Sequence, residues 1–145
     1  MSVLAVIPAR GRSKGVVRKN LYSLRGKPLI FWTIRAAQQA SGLDHVVVST
    51  EDMQISAVAR ELGVDPLIRP AELAEDKTAG VMPVLHATEQ LPLFDRILLL
   101  QPTSPMRSAA DIEGILRFQE STKAESVVSV SPVTESPQLF VSFQP

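Results

Sequence analysis

The chain has 145 residues, 45% of them hydrophobic, which suffices for one globular domain with a core but not for two large ones. It contains no cysteine and no apolar run near the ~20 residues of a membrane span, and its apolar start is too short for a signal peptide. These features exclude a disulfide scaffold and thiolate chemistry, and a cytoplasmic protein is expected. Nucleic acid is not expected as a partner, since only 5% of residues are aromatic and the pI is about 6.7.

Charge is unevenly distributed although the formal net charge is +0. Residues 1–43 contain no Asp or Glu, and the remainder of the chain is therefore net acidic. The same stretch holds Arg10, Arg12, Lys14, Arg18, Lys19, Arg25, Lys27 and Arg35. A local positive field on a neutral protein indicates a compact anionic ligand near the N-terminal end.

Apolar runs and helical repeats alternate along the chain. The predicted elements are a strand at 3–7, a helix at 28–41, a strand at 45–49, a helix across 55–62, an edge-like strand at 66–69, a helix at 81–90, a strand at 96–100, a helix after a capping box at Ser108 and Asp111, and a strand at 126–130. This alternation predicts an α/β fold, a three-layer sandwich whose mainly parallel sheet is covered by helices.

Loops of unusual composition follow the predicted strands at residues 8–20, 49–52 and 101–107. Right-handed crossovers place the carboxyl ends of parallel strands along one edge of the sheet. We therefore expect these loops to form one site at that edge.

The loop at residues 8–20 is the most informative segment, and we call it the basic loop. Its glycines, Gly11 and Gly15, allow backbone amides to approach a ligand closely. Its polar groups suited to a polyphosphate are Arg10, Ser13, Lys14 and Lys19. The spacing fits neither a Walker motif nor the Rossmann glycine pattern. Without further information, the alternative is a solvated basic loop.

Several motifs resemble those of the acylneuraminate cytidylyltransferases. They are IPARGRSKG at 7–15, KN at 19–20, GKPL at 26–29, VST at 48–50, RPAELA at 69–74 and LQPTSPMR at 100–107. They occur in the family's order along nearly the whole chain. The resemblance implies a Rossmann-like nucleotidyltransferase fold, CTP as substrate, Mg²⁺ or Mn²⁺ as cofactor, a nine-carbon sugar acid as acceptor, and pyrophosphate as product.

The resemblance also implies roles for individual residues. Arg10, Lys14 and Lys19 are the implied catalytic cations, and Gln101 is the implied contact to the sugar acid. The implied CTP-binding residues are Pro8, Ala9, Arg10, Ser13, Lys14, Lys19, Asn20, Arg69 and Gly80. Arg69 could instead be a surface cation on an edge strand, and Gln101 part of a rigid turn. No metal ligand can be named from the sequence.

The chain departs from the family pattern at Arg12, at residues 16–17 and at Gly80, where a hydroxyl residue is expected near the base. The family's C-terminal part, with its metal-binding Asp pair and dimerisation arm, has no counterpart in residues 1–145. We therefore expect an incomplete, weakly active nucleotide-binding domain that forms a homodimer when full length. The alternatives are a non-catalytic nucleotide-binding module and a cytidylyltransferase for pseudaminic, legionaminic or 3-deoxy-octulosonic acid.

Overall fold

The computed structural model describes residues 1–13 and 15–132, and Lys14 and residues 133–145 lie outside that description. The strands are β1 (Val3–Pro8), β2 (Ser23–Leu24), β3 (Lys27–Pro28), β4 (His45–Thr50), β5 (Asp65–Ile68) and β6 (Arg96–Leu99). The helices are α1 (Leu29–Gln39), α2 (Met53–Glu61), α3 (Met82–Gln90) and α4 (Ala109–Thr122). Short 3-10 turns stand at Lys19–Leu21 and Ala71–Ala74.

The central sheet of the described chain has the order β5-β4-β1-β6, and every pairing in it is parallel. β1 lies inside the sheet, where Val6 pairs with Val47 of β4 on one side and with Leu99 of β6 on the other. Because β1 is covered on both faces, its sequence is an uninterrupted apolar run rather than an alternating one. β2 and β3 form a separate antiparallel hairpin before α1.

Helices cover both faces of the sheet. On one face Ile7 packs with residues of α1, α2 and α4, including Ile34, Ile55 and Ile112. On the other face Val6 packs in a smaller cluster that contains Ala87 of α3. The predicted three-layer α/β sandwich with a mainly parallel sheet is therefore confirmed.

Most predicted elements are confirmed within one or two residues, and so is the capping box. The side chain of Ser108 accepts a hydrogen bond from the N–H of Asp111, whose carboxylate accepts one from the N–H of Ser108. The strand predicted at 126–130 is wrong, because these residues form no strand in the described chain. A strand needs a partner's hydrogen-bond ladder and a covered face, whereas Val128 and Val130 are 80% and 90% exposed.

No helix in the described ranges is long and apolar enough to cross a membrane.

Carboxylates at or near the surface hold the ends of several elements by accepting backbone hydrogen bonds. Asp95, Asp111 and Glu113 accept from the N–H groups of Ser2, Ser108 and Ser41, at 2.6, 2.8 and 2.8 Å. These hydrogen bonds favour the charged form, and they are the main cause that lowers the pKa of each carboxyl below its ordinary value of 3.8 or 4.5. Folding therefore favours the deprotonated carboxylates.

We expect the chain to lose stability in mild acid. A lowered folded pKa gives stabilisation that is complete above the ordinary pKa and is lost as the pH falls through the folded value. Urea unfolding between about pH 6 and about pH 3 should show this loss, and Asp111→Asn should make it less steep. Glu61→Gln is the control, since that exposed side chain makes no hydrogen bond within the described residues. An equal pH dependence in all three proteins would contradict this account.

Candidate active site at the carboxyl edge of the sheet

The sheet order creates a crevice at the carboxyl ends of β1 and β6. From β1 the chain moves outward through β4 to β5, and then it returns to the other side of β1 to form β6. Loops that leave β1 and β6 therefore diverge, and such switch points are where open α/β sheets bind ligands. A cavity of about 370 Å³ opens at this place.

The cavity brings together residues that are far apart in sequence. Of the residues expected to bind ligand, those that line it are Pro8, Arg10, Ser13, Lys19, Asn20, Arg69, Gly80 and Gln101. Ala9 is completely buried, and its methyl group packs in the core instead. Lys14 lies outside the described residues, so its implied role stays a prediction.

Hydrogen bonds to the neighbouring strand and within the loop fix the basic loop at both ends. Directly after β1, the N–H of Ala9 donates to the carbonyl of Ser49 in β4 at 2.9 Å. At the far end Asn20 is only 5% exposed, and its Nδ2 donates to the carbonyl of Arg10 at 3.0 Å. The loop therefore closes on itself beside the sheet edge, with Ser13 and Lys19 along the cavity wall.

The start of α2 anchors the middle of the basic loop. Asp52 caps α2 by accepting hydrogen bonds from the helix N–H groups, and its carboxylate also accepts from Arg18 Nη2 at 3.1 and 2.9 Å. The backbone passes so close that a methyl group at Gly11 would lie 2.9 Å from Cβ and Cγ of Asp52. Position 11 therefore requires glycine for the loop to keep this path.

Arg69 is a buried cation with unused hydrogen-bond donors. It follows β5, and its side chain is 3% exposed. Its Nη2 donates to Glu51 Oε2 at 3.1 Å, whereas Nε and Nη1 have no partner within the described residues. Burial lowers the pKa of Arg69, attraction to Glu51 opposes this, and repulsion from Arg10 adds to the lowering. Buried donors normally have acceptors, so this guanidinium is prepared for an acceptor on a ligand.

Arg10 contacts the opposite wall of the cavity. Its Nη1 donates to Asp76 Oδ1 at 2.8 Å, and the two side chains are 35% and 45% exposed. An ion pair this exposed is weak, so an anionic ligand can compete with Asp76 for the guanidinium.

The loop after β6 completes the cavity. The carbonyl of Gln101 accepts hydrogen bonds from the N–H of Ser104 and from Nη1 of Arg107, both at 3.3 Å. These contacts hold the backbone of Gln101 while its side chain remains exposed at the cavity. Burial lowers the pKa of Arg107, and attraction to Asp111 partly offsets this.

No group of three His, Cys, Asp or Glu residues in the described ranges could hold a metal ion. Glu75 and Asp76 do line the cavity. One or two carboxylates suffice for Mg²⁺ when phosphate oxygens provide other ligands. The site therefore fits a cation that binds together with a phosphorylated ligand, and it lacks a ligand set that would hold one alone.

Comparison with known proteins decides the family. The profile of the family described as Cytidylyltransferase matches residues 4–142. The chain belongs to the cytidylyltransferase family. This assignment agrees with the motif resemblance. The switch-point cavity is the candidate active site of this cytidylyltransferase-family chain.

Relatives and a solved structure support the same assignment. The chain is 39% identical over 138 residues to an N-acylneuraminate cytidylyltransferase of Escherichia coli O18:K1:H7, covering 94% of this chain and 33% of the relative. It is 44% identical over 142 residues to a CMP-N,N'-diacetyllegionaminic acid synthase of Legionella pneumophila, and the match covers 94% of this chain and 61% of that relative. A CMP:2-keto-3-deoxy-manno-octonic acid synthetase complexed with CTP superimposes with a TM-score of 0.76 at 25% identity. The match covers 86% of this chain and 49% of the solved chain. This chain thus spans about one third and three fifths of the two relatives' lengths, and it has the Rossmann-like nucleotidyltransferase fold.

Sequence reasoning gave no role to Glu51, nor to Leu73, Ala79 and Pro83 of the cavity wall, whereas it named Gly80 and considered Asp76 either a site carboxylate or part of a solvated loop. Glu51 and Asp52 lie within the flagged segment 49–52 but were not assigned a role. The available signal was a pair of consecutive carboxylates directly after a buried strand, opposite a loop rich in cations. Their contacts to Gly11 and Arg18 join residues 40 and 34 positions apart, which no local pattern reveals.

Gly11→Ala should destabilise the chain by about 1–3 kcal/mol, because the new methyl group must displace Asp52 or the loop. Gly15→Ala is a matched control in the same loop, since a methyl group there meets nothing within 4 Å. Urea unfolding of both variants measures the difference. Equal stability of the two variants would show that the loop does not pack against Asp52 as described.

Proposed function

We propose that this chain forms the CTP-binding part of an enzyme that transfers CMP from CTP to a nine-carbon sugar acid and releases pyrophosphate. The observation that carries the proposal is the switch-point cavity, where the basic loop faces the buried Arg69, whose Nε and Nη1 have no partner in the described part of the chain. Membership of the cytidylyltransferase family and the CTP complex of the solved relative support it.

The basic loop would bind the triphosphate. Arg10 and Lys19 supply positive charge at the cavity, and the buried hydroxyl of Ser13 has no partner within the described residues. Such groups form strong, charge-assisted hydrogen bonds to phosphate oxygens. Lys14 belongs to the same proposed set by its place in the motif.

The nucleoside would lie toward Arg69. Asn20 and Arg69 are the proposed contacts to the ribose and the base, whose carbonyl and ring nitrogen accept hydrogen bonds. Gly80 also lines the cavity, and nothing lies within 4 Å of the position that a side chain would occupy there. This open space leaves room for the base beside Gly80.

Catalysis in this proposal needs no nucleophile from the protein. The anomeric hydroxyl oxygen of the sugar acid attacks the α-phosphorus in line, the bond from that phosphorus to the bridging oxygen breaks, and pyrophosphate takes the electron pair. The hydroxyl proton passes to a base or to water. Arg10, Lys14 and Lys19 offset charge on the leaving group, and Gln101 orients the sugar acid.

A divalent cation, when bound, would neutralise charge on the phosphates, and Glu75 and Asp76 are the cavity carboxylates that would hold it. Mg²⁺ and Mn²⁺ both suit oxygen ligands. Homodimerisation, which the motif resemblance implies, and a cytoplasmic location, which the composition indicates, also stay predictions.

The acceptor is proposed as N-acetylneuraminic acid or a close relative. The two relatives compared are named for N-acylneuraminate and for N,N'-diacetyllegionaminate. Pseudaminic and 3-deoxy-octulosonic acids are the remaining alternatives. Pyrophosphate release from CTP with each of these acids, measured on the protein as its gene encodes it, identifies the acceptor. Release with none of them would favour the non-catalytic nucleotide-binding module.

CTP should raise the melting temperature of this chain more than ATP or GTP does, because a ligand that binds only the folded state stabilises it. Lys19→Met should abolish most of this shift, since Lys19 lines the cavity. Lys123→Met, at the end of α4 and far from the loop in sequence, should leave the shift unchanged. Equal shifts for all three nucleotides would refute the cytidine assignment, and a full shift in Lys19→Met would refute the phosphate assignment.

A further inference from the structure

The carboxylate of Glu51 joins the basic loop to Arg69 of the cavity wall. Glu51 directly follows β4, and its side chain is 18% exposed. Its Oε1 accepts the backbone N–H of Gly11 in the basic loop at 2.7 Å, and its Oε2 accepts from Arg69 Nη2 at 3.1 Å. One side chain therefore contacts both the loop after β1 and the residue after β5.

Glu51 determines how Arg69 can be buried. A guanidinium removed from water is costly unless an anion pairs with it, and at 3% exposure the side chain of Arg69 is almost completely removed. Glu51 supplies that anion and engages one nitrogen of the planar group. This contact restrains the planar group, and with it the directions of Nε and Nη1, which have no partner within the described residues.

The other carboxylate oxygen of Glu51, Oε1, positions the basic loop by accepting a backbone hydrogen bond from it. Gly11 passes close to the start of α2, and its N–H donates to a charged acceptor. A movement of Glu51 therefore changes the position of the loop backbone and of the Arg69 guanidinium together.

We propose that Glu51 is a positioning residue that holds the basic loop and Arg69 in one arrangement, with Nε and Nη1 of Arg69 presented to a nucleoside triphosphate. This inference rests on the proposed function, because the ligand must contact both the loop and Arg69. Glu51 itself need not touch the ligand, and its effect on binding passes through Gly11 and Arg69.

The neighbouring carboxylate provides a matched comparison. Asp52 also binds the basic loop, through Arg18, and it caps α2, but it makes no hydrogen bond to Arg69. Asp52→Asn removes one negative charge one residue away and weakens the same loop. If Glu51 only stabilises the loop, Glu51→Gln and Asp52→Asn should weaken CTP binding to a similar extent.

A double-mutant cycle on CTP dissociation constants separates these cases. We expect Glu51→Gln to weaken CTP binding at least about tenfold, because its amide offers a donor where the carboxylate accepted. In Arg69→Met, adding Glu51→Gln should cause much less further loss, whereas adding Asp52→Asn should cause its full separate loss. Wild-type affinity in Glu51→Gln, or losses that simply add in the Glu51–Arg69 cycle, would overturn the inference.

A measurement without ligand tests the positioning role separately from CTP binding. It therefore stays informative if a variant folds poorly or if the proposed function is wrong. The Nε–H resonance of Arg69 should shift and exchange faster with solvent in Glu51→Gln but not in Asp52→Asn. Glu51→Asp, which keeps the charge, replaces Glu51→Gln if that variant does not fold, and it should show a smaller effect of the same sign. An unchanged resonance overturns the positioning role even if CTP binds. If the wild type does not bind CTP but the resonance responds, the proposed function fails while Glu51 still positions Arg69.

Discussion

The position of β1 inside a parallel sheet is the constraint on which the site depends. Both edges of β1 are hydrogen-bonded, to β4 and to β6, and both of its faces are covered by helices. The chain can leave this strand only at its carboxyl end, so the basic loop must begin at the switch point. The residues after β5 and β6 reach the same edge because all of these strands are parallel. The fold thereby brings cations from separate segments of sequence to one cavity.

Charge balance explains why the site remains open to an anion. Arg69 is buried with one carboxylate partner, and Arg10 is half-exposed beside Asp76. In a site partly removed from water, electrostatic interactions are stronger than in bulk solvent, and unpaired donors are costly. In the proposed function, a phosphorylated ligand would relieve this cost by supplying acceptors to Arg69 and to the buried hydroxyl of Ser13. Under that proposal, burying these groups is unfavourable without the ligand and becomes favourable when the ligand binds.

Most elements of the fold could be predicted from the sequence, and so could many of the residues that line the cavity. The apolar run of β1, the helical repeats and the capping box at Ser108 are local signals, and each is confirmed. The hairpin of β2 and β3 was not predicted, because its strands have only 2 residues each. Residues 126–130 have the composition of a strand but find no pairing partner in the described chain. Glu51 was missed because its contacts to Gly11 and Arg69 form only when the chain after β4, the chain after β5 and the basic loop meet.

Amide chemical-shift mapping with CTP and Mg²⁺ tests the central claim most directly, because it shows where on this chain the nucleotide binds. We predict that the largest changes cluster at the carboxyl edge of the sheet, at Gly11, Ser13, Asn20, Gly80 and Gln101, and that α4 beyond its first turn is unaffected. Changes centred elsewhere on the sheet, or no saturable changes at millimolar CTP, would contradict the assignment of this cavity as the nucleotide site.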